Sequence, residues 1–243
     1  MEPKIKIFPD LDGLADYLIA RIHRQLLKKT EGQYYSIALS GGSTPKAIFK
    51  IITEKHANKI NWSRVAFFWG DDRCVPPSDS ESNYRMAYEN LFKHLNLPEL
   101  NFCSINGEDE PEGEAKRYGE RVDFMLPHVD GIPQFDMVWL GLGEDGHTAS
   151  IFPENIGLFH SDKLFETSEH PVSGQIRITA TGKLINSAKE VLFIATGSAK
   201  ASKVAQILEK TNGWEKLPAS LVNPKHGQLI WLLDKAAGAE LLM

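Results

Sequence analysis

The chain has 243 residues with a formal net charge of −5, and its 42% hydrophobic and 24% charged residues are ordinary for a globular protein. The negative charge argues against non-specific nucleic-acid binding, and no apolar run approaches the ~18 residues of a membrane span. Its two cysteines, Cys74 and Cys103, are too few for a disulfide scaffold and match no metal spacing, and no secretory segment opens the sequence. We therefore expect one α/β domain over residues 1–243, in the reducing cytoplasm, without a nucleic-acid or membrane partner.

Short apolar runs alternate with helical patterns along the chain. A helix from Asp10 to Lys29 fits the spacing of Leu11, Leu14 and Leu18, and Asp10 can cap it. Strands are predicted at Ile5–Phe8, Tyr34–Leu39, Val65–Trp69, Asp136–Leu140, Val191–Thr196 and Gln228–Leu233, with weaker candidates at Phe102–Ile105 and Gln175–Ala180. Further helices are predicted at Pro45–Lys55, Asn83–Leu95, Glu112–Leu126, Ser198–Lys210 and Lys235–Leu242. This alternation predicts a mostly parallel sheet with helices on both faces.

Four of the predicted strands run directly into polar loops that contain glycine. These loops are Ser40–Thr44, Gly70–Arg73, Gly141–Ser150 and Gly197–Lys200. In open parallel sheets, ligands bind outside the carboxyl ends of the strands. We therefore expect the four loops to converge on one crevice that forms the active site.

The third loop carries Asp145 and His147, which are two residues apart. Histidine is the side chain whose ordinary pKa lies nearest neutrality, and a carboxylate nearby can orient it as a general base. Both residues are therefore candidate catalytic groups. A loop histidine that bonds only to backbone would show the same sequence, so that alternative stays open here.

The same loop also matches a dinucleotide-binding fingerprint, because Gly141, Gly143 and Gly146 have the spacing G-x-G-x-x-G after a strand. That fingerprint needs a helix whose N-terminus faces a pyrophosphate, and Pro153 leaves little room for one. Glu144 and its acidic neighbour would also repel the phosphates. We therefore expect no nicotinamide cofactor.

The first loop has the composition of an anion-binding turn. Gly41 and Gly42 allow backbone N–H groups to approach a ligand closely, and Ser43 and Thr44 add hydroxyl donors. Pro45 suits the first turn of a helix, whose N-terminus favours negative charge. The spacing is not that of a Walker A loop, and an ordinary strand-to-helix turn would look similar.

Arg73 and Lys200, from the second and fourth loops, are natural countercharges for a phosphate, and Arg177 is a weaker third candidate. Asp71 and Asp72 could orient Arg73, act as a base or bind a metal. No cluster of further ligands accompanies them, so we expect no metal site. The chain also lacks the Gly-x-Ser-x-Gly turn of a serine hydrolase.

The remaining histidines occur in helical or loop contexts without a partner in the sequence. We expect these to be surface residues: His23, His56, His94, His128, His160, His170 and His226.

Taken together, these loops resemble those of the 6-phosphogluconolactonases, enzymes of the oxidative pentose phosphate pathway. The resemblance covers nearly the whole chain and is carried by the segments Ala38–Lys46, Asp71–Pro76, Ser82–Asn83, Leu140–Pro153, Arg177–Thr179, Gly197–Lys200 and Trp231–Ala237. One position departs from the family pattern, since Asp72 stands where a glutamate is usual.

The resemblance implies a modified Rossmann-like fold, similar to that of the glucosamine-6-phosphate deaminases. It implies hydrolysis of 6-phospho-D-glucono-1,5-lactone without cofactor or metal, with His147 as general base and Asp145 as its orienting partner. The phosphosugar would be bound by the Gly41–Thr44 loop and by four side chains, those of Asp71, Arg73, Arg177 and Lys200.

Two alternatives remain. One is a glucosamine-6-phosphate deaminase, although that family typically has tyrosine where this chain has Arg73. The other is a non-catalytic sugar-phosphate sensor, although no DNA-binding helix-turn-helix is recognisable. In each case we expect a monomer or a small homo-oligomer.

Overall fold

The computed structural model describes residues 2–95 and 97–242. The strands are β1 (Lys4–Phe8), β2 (Tyr35–Leu39), β3 (Val65–Trp69), β4 (Asp71–Arg73), β5 (Phe102–Cys103), β6 (His128–Val129), β7 (Ile132–Pro133), β8 (Met137–Leu140), β9 (Phe165–Glu169), β10 (Ile176–Ala180), β11 (Glu190–Ala195) and β12 (Gln228–Asp234). The α-helices are α1 (Leu11–Leu26), α2 (Ser43–Ile51), α3 (Asn83–Ala87), α4 (Lys93–Leu95), α5 (Pro111–Met125), α6 (Gly182–Ile185) and α7 (Ala201–Leu208). Within these described ranges, no helix combines the length and the apolarity that crossing a membrane requires.

Seven strands form the central sheet, in the order β1-β12-β11-β8-β2-β3-β5. Every neighbouring pair in it is parallel, so all the carboxyl ends lie at one edge. Strands β2, β3, β8 and β11 are buried at every position. Because alternate side chains point to opposite faces, both faces of the sheet must be covered. The predicted mostly parallel α/β sheet is confirmed.

The strand order reverses between β2 and β8. From β2 the chain continues to β3 and β5 on one side, whereas β8 is followed by β11 and β12 on the other. The loops that leave β2 and β8 therefore diverge and open a crevice between them, the usual place for a ligand in such sheets.

A second, antiparallel sheet of three strands, β4-β10-β9, was not predicted. The sequence predicts a loop at Asp71–Arg73, but this segment is a strand that pairs with β10, and no strand is predicted at Phe165–Glu169. Neither segment has the alternating apolar pattern that identifies a strand in sequence, because β4 is entirely charged and β9 has a single large apolar residue. Gly70 joins the two sheets, since its N–H donates to Leu39 of β2 and its carbonyl accepts from Ala180 of β10.

Helix α1 forms as its sequence predicts. The Asp10 carboxylate accepts the N–H of Gly13 over 2.8 Å, which caps the helix. Leu14, Leu18 and Ile22 lie on one face and are almost completely buried. They belong to a core cluster that also includes residues of the central sheet and of α5.

Two helix predictions need correction. The predicted helix Asn83–Leu95 is α3 and α4 separated by a π-helical turn at Tyr88–Phe92. The predicted helix Lys235–Leu242 is wrong, because this segment forms isolated turns. The Asp234 carboxylate accepts a hydrogen bond from the N–H of Ala237. The N–H of Leu242 donates to the Glu209 carboxylate and not to a carbonyl within a helix.

Two of the seven histidines expected at the surface are not exposed, namely His56 and His170, and the second lines the cavity described below. His56 is only 4% exposed, on a π-helical turn at Ile52–His56 that continues α2. Its Nε2 lies 3.1 Å from an Asp16 carboxylate oxygen but is not aligned for a hydrogen bond. The other five are exposed: His23, His94, His128, His160 and His226.

Candidate active site

A cavity of about 730 Å³ lies at the carboxyl edge of the central sheet, where the strand order reverses. Residues of all four predicted loops line it, together with the turn between β9 and β10. Each residue predicted for the site is in its wall: Gly41, Gly42, Ser43, Thr44, Asp71, Arg73, Asp145, His147, Arg177 and Lys200. The carboxyl ends of the parallel strands therefore bring together residues that are up to 159 positions apart in the sequence.

Asp145 and His147 form a hydrogen-bonded pair. The Nδ1 of His147 lies 2.7 Å from Asp145 Oδ1, and the backbone N–H of His147 donates to the same oxygen over 3.0 Å. Burial would raise the pKa of the Asp145 carboxyl, but these hydrogen bonds from His147 lower it to about 2. A carboxylate that accepts from Nδ1–H leaves Nε2 as the basic nitrogen of the ring.

The ring of Phe152 packs against His147 of this pair. It is 1% exposed, and its ring centroid lies 4.8 Å from that of His147. The guanidinium carbon of Arg177 lies 5.6 Å from the same ring centroid, which is a cation–π distance. One buried aromatic ring therefore fixes the positions of both a candidate base and a candidate phosphate ligand. Sequence reasoning assigned it no role, because an apolar residue at the end of a loop usually belongs to the core.

Arg73 and Arg177 stand directly opposite each other in the β4–β10 pair. Burial and the nearby positive charge of Arg73 lower the pKa of Arg177. The Nε of each guanidinium is buried without a hydrogen-bond partner, and within residues 2–95 and 97–242 neither side chain forms a carboxylate ion pair. Two like charges side by side with unused donors are the arrangement expected of an anion-binding site.

Asn83 orients Arg73, although the sequence assigned it no role. Its Oδ1 accepts from Arg73 Nη1 over 2.7 Å, and its amide donates to the Asp71 carbonyl over 2.9 Å. A Cβ on Gly41 would lie 1.8 Å from Asn83 Oδ1, so a residue at position 41 must be glycine for these loops to meet. The glycine predicted as an anion ligand therefore also has a packing role.

Asp71 and Asp72 point in opposite directions, as adjacent residues of a strand do. Asp71 lines the cavity, and its Oδ2 accepts from the Ser150 hydroxyl over 2.6 Å. Asp72 is 2% exposed and accepts the backbone N–H groups of Asn83 and Tyr84, over 2.7 and 3.0 Å. Burial raises the pKa of Asp72 to about 6 in spite of these bonds. Asp72 therefore anchors the start of α3 rather than facing the cavity.

Two helix starts face the cavity from β2 and β11, the strands on either side of β8. Gly42 precedes α2 with φ 104°, and Gly197 precedes the 3₁₀ turn Ser198–Lys200 with φ 90°. Neither would place a Cβ within 4 Å of another atom, so the backbone beside them is open to a ligand. The hydroxyls of Thr44 and Thr196 lie 2.7 Å apart and join the two loops.

Lys200 ends the second of these turns and lines the cavity. Its Nζ lies 3.9 Å from the carboxylate of Glu144, whose side chain is 74% exposed, so the pairing is weak. The N–H of Gly197, at the start of the same turn, donates to the Asp234 carboxylate over 3.0 and 3.1 Å. The end of β12 thus holds the loop that carries Lys200.

His170, expected at the surface, is half-buried in the cavity wall, because β9 and β10 form a hairpin whose turn reaches over the site. No pattern in the sequence indicates this, since β9 itself has no clear signature. Across the described ranges, no group of three or more histidine, cysteine, aspartate or glutamate side chains has an arrangement that could hold a metal ion.

Comparison with known proteins gives consistent results. A family profile described as glucosamine-6-phosphate isomerases/6-phosphogluconolactonase matches residues 9–231. A 6-phosphogluconolactonase of Haemophilus influenzae is 46% identical over 204 residues, which are 83% of this chain and 85% of that one. The crystal structure of 6-phosphogluconolactonase from Leishmania guyanensis superposes with a TM-score of 0.88 at 27% identity, covering 100% of each chain.

A monomeric glucosamine-6-phosphate deaminase shares the fold, with a TM-score of 0.79 over 98% of this chain and 99% of that one. Its sequence is only 22% identical, so this likeness extends to the fold alone.

Proposed function

The chain belongs to the glucosamine-6-phosphate isomerase/6-phosphogluconolactonase family, and we propose that it hydrolyses 6-phospho-D-glucono-1,5-lactone to 6-phospho-D-gluconate, a step of the oxidative pentose phosphate pathway. One observation supports this most strongly. His147, which is bonded to Asp145, and Arg177, which stands opposite Arg73, both pack against the buried ring of Phe152. A base therefore lies beside an anion site, as hydrolysis of a phosphorylated lactone requires.

In the proposed mechanism, His147 acts as the general base through Nε2. Nε2 takes a proton from water as the water oxygen bonds to the lactone carbonyl carbon. The tetrahedral intermediate then breaks the bond between that carbon and the ring oxygen, and His147 returns the proton to the departing oxygen. Asp145 holds the ring by Nδ1 and stabilises the imidazolium that forms between these steps.

The phosphate is proposed to bind where the cavity concentrates positive charge. The side chains of Arg73, Arg177 and Lys200 line this region, and so does the backbone beside Gly42. The side chain of Asp71, fixed by Ser150, is placed to accept from a sugar hydroxyl. Water is the nucleophile and His147 carries the proton, so the proposal uses neither a cofactor nor a metal.

The test is a comparison of two activities of the purified protein. Acid release from freshly made 6-phosphogluconolactone should exceed the spontaneous rate, whereas ammonia release from glucosamine 6-phosphate should be undetectable. Deamination at a rate comparable with lactone hydrolysis would overturn the assignment, because the two reactions need different proton transfers. Binding of 6-phosphogluconate without turnover of the lactone would favour the sensor alternative.

We further propose that the protein acts in the cytoplasm. Cys74 and Cys103 are both free thiols, which suits a reducing compartment. A monomer or a small homo-oligomer remains the prediction for its assembly.

A further inference from the structure

A second histidine lies beside the proposed base. His170 follows β9 directly and lines the cavity with Pro171 and Val172. Its ring packs edge-on against Phe152, with the centroids 5.0 Å apart and the planes at 71°. His147 packs against the same phenyl ring, so both imidazoles are positioned by one buried side chain.

Two backbone N–H groups determine the tautomer of His170. Those of Val172 and Ser173 both donate to Nδ1, each over 3.2 Å. A nitrogen that accepts hydrogen bonds carries no proton, so these bonds assign the proton of the neutral ring to Nε2. Among the residues that the structure describes, none accepts a hydrogen bond from this Nε2.

The turn between β9 and β10 uses only Nδ1 of His170 and does not require Nε2. Capping the turn requires one acceptor, which asparagine, aspartate or serine would supply with a smaller side chain. The imidazole adds a donor of fixed polarity, held by its Nδ1 bonds and by Phe152. It does so in the wall of a cavity that already contains a proposed base and two guanidinium groups that form no carboxylate ion pair within the described residues. A neutral donor of this kind suits an uncharged or anionic oxygen of a ligand.

We propose that His170 is a substrate-binding residue, whose Nε2–H donates a hydrogen bond to an oxygen of the bound phosphosugar lactone. This rests on the proposed function, since it takes that lactone as the occupant of the cavity. The acceptor is an oxygen either of the sugar or of the phosphate. Activity on lactones with and without the phosphate distinguishes these two acceptors.

Two substitutions of His170 test the roles of its two ring nitrogens separately. H170N keeps an acceptor near the position of Nδ1, so it still caps the turn, but it has no donor near Nε2. H170Q has a donor near Nε2 but lacks the acceptor for Val172 and Ser173. The matched control is H23N, because His23 is exposed on α1 and makes no side-chain hydrogen bond within the described ranges.

We expect H170N to keep the parent Tm and to lose about 5-fold or more in kcat/KM, the value of one hydrogen bond at ~1 kcal/mol. H170Q should melt at a lower temperature and yet be the more active of the two. A similar loss by H170N on glucono-1,5-lactone identifies a sugar oxygen, whereas a loss confined to the phosphorylated substrate identifies a phosphate oxygen. H23N should match the parent in both assays.

The proposal is wrong if folded H170N matches the parent in kcat/KM, or if it exceeds H170Q, because His170 would then serve only the hairpin. If H170N does not fold, the test depends on H170Q, which keeps a donor near Nε2. A loss in kcat/KM of much more than about 12-fold in a folded H170Q would exceed the value of one neutral hydrogen bond and would contradict the assignment. If the parent itself shows no lactonase activity, the proposed function fails and this inference fails with it. That outcome is distinct from an active parent matched by H170N.

Discussion

The Asp145–His147 pair leaves no room for a side chain at position 143. A Cβ on Gly143 would lie 2.1 Å from His147 Nδ1 and 2.3 Å from Asp145 Oδ1, closer than real contacts allow. The N–H of Gly143 also donates to the His147 carbonyl over 2.9 Å, which closes the loop. The middle glycine of the dinucleotide-like spacing is therefore explained by its packing against the proposed catalytic pair.

Substitution of Gly143 by alanine should displace the pair, because the added Cβ would overlap His147 and Asp145. We expect kcat to fall by about 10²-fold, since a shift on the order of 1 Å in a reacting group costs that much. Steady-state kinetics of folded G143A checks this. The control is G157A, because a Cβ at Gly157 meets nothing within 4 Å and should leave kcat unchanged. If G143A turned over as fast as G157A, the pair would not be fixed as described.

We expect the proposed phosphate site to determine substrate selectivity. Charge-assisted hydrogen bonds to an anion are worth roughly 1.5–3 kcal/mol, so Arg73→Ala and Lys200→Ala should each lose about 10- to 150-fold in kcat/KM. The loss need not appear in KM alone, because binding energy from the phosphate can position the carbonyl. Both variants and the parent are compared on 6-phosphogluconolactone and on glucono-1,5-lactone. The unphosphorylated lactone should be a poor substrate and nearly insensitive to either change, and equal losses on both lactones would exclude a phosphate role.

Strand β4 illustrates why the second sheet could not be predicted from the sequence. Its three residues carry the charges that identified a functional loop, and that same charge concealed a strand. Pairing with β10 places Arg73 opposite Arg177, a contact that depends on long-range register and cannot be read from local sequence. The helix α1 and the six main strands could be predicted because their apolar periodicity is local. The predicted helix at Lys235–Leu242 failed because the N–H groups of Ala239 and Leu241 bond three residues back and that of Leu242 bonds to Glu209, so the helical pattern does not continue.

At the same scale, Asp72 links β4 to α3 and should give the stability of the protein a pH dependence. Its pKa is about 6 in the folded protein and 3.8 as an ordinary carboxyl, so the folded state binds this proton more tightly. The stabilisation is complete below about pH 4 and is lost as the pH rises through about 6. The asparagine in D72N cannot ionise, so the free energy of unfolding of the parent minus that of D72N should fall by about 3 kcal/mol over this range.

Urea denaturation at a series of pH values measures this difference. The matched control for the substitution itself is D162N, since Asp162 is exposed. A parent-minus-D72N difference that rose with pH would mean that Asp72 is stabilised as a carboxylate, contrary to its burial.

For the whole molecule, the sequence predicted that the ends of four parallel strands meet, and the fold brings them to one cavity. The sequence did not predict the β9–β10 hairpin beside this cavity. The contact of His170 with Phe152 depends on the pairing of strands in the second sheet, which local sequence does not reveal. Buried apolar residues of the central sheet, α1 and α5 share one hydrophobic cluster. This agrees with the single domain predicted over residues 1–243, which stays a prediction.

The central claim is that His147 is the base of a phosphosugar lactonase, and kcat of His147→Ala on 6-phosphogluconolactone tests it most directly. The spontaneous hydrolysis of the lactone is subtracted, and 6-phosphogluconate binding is measured by calorimetry as a control for folding. A placed general base contributes ~10²–10⁴-fold, mainly in the transition state, so kcat should fall by about 10²-fold or more while product affinity changes little. Turnover near that of the parent, in a variant that still binds product, would contradict the account.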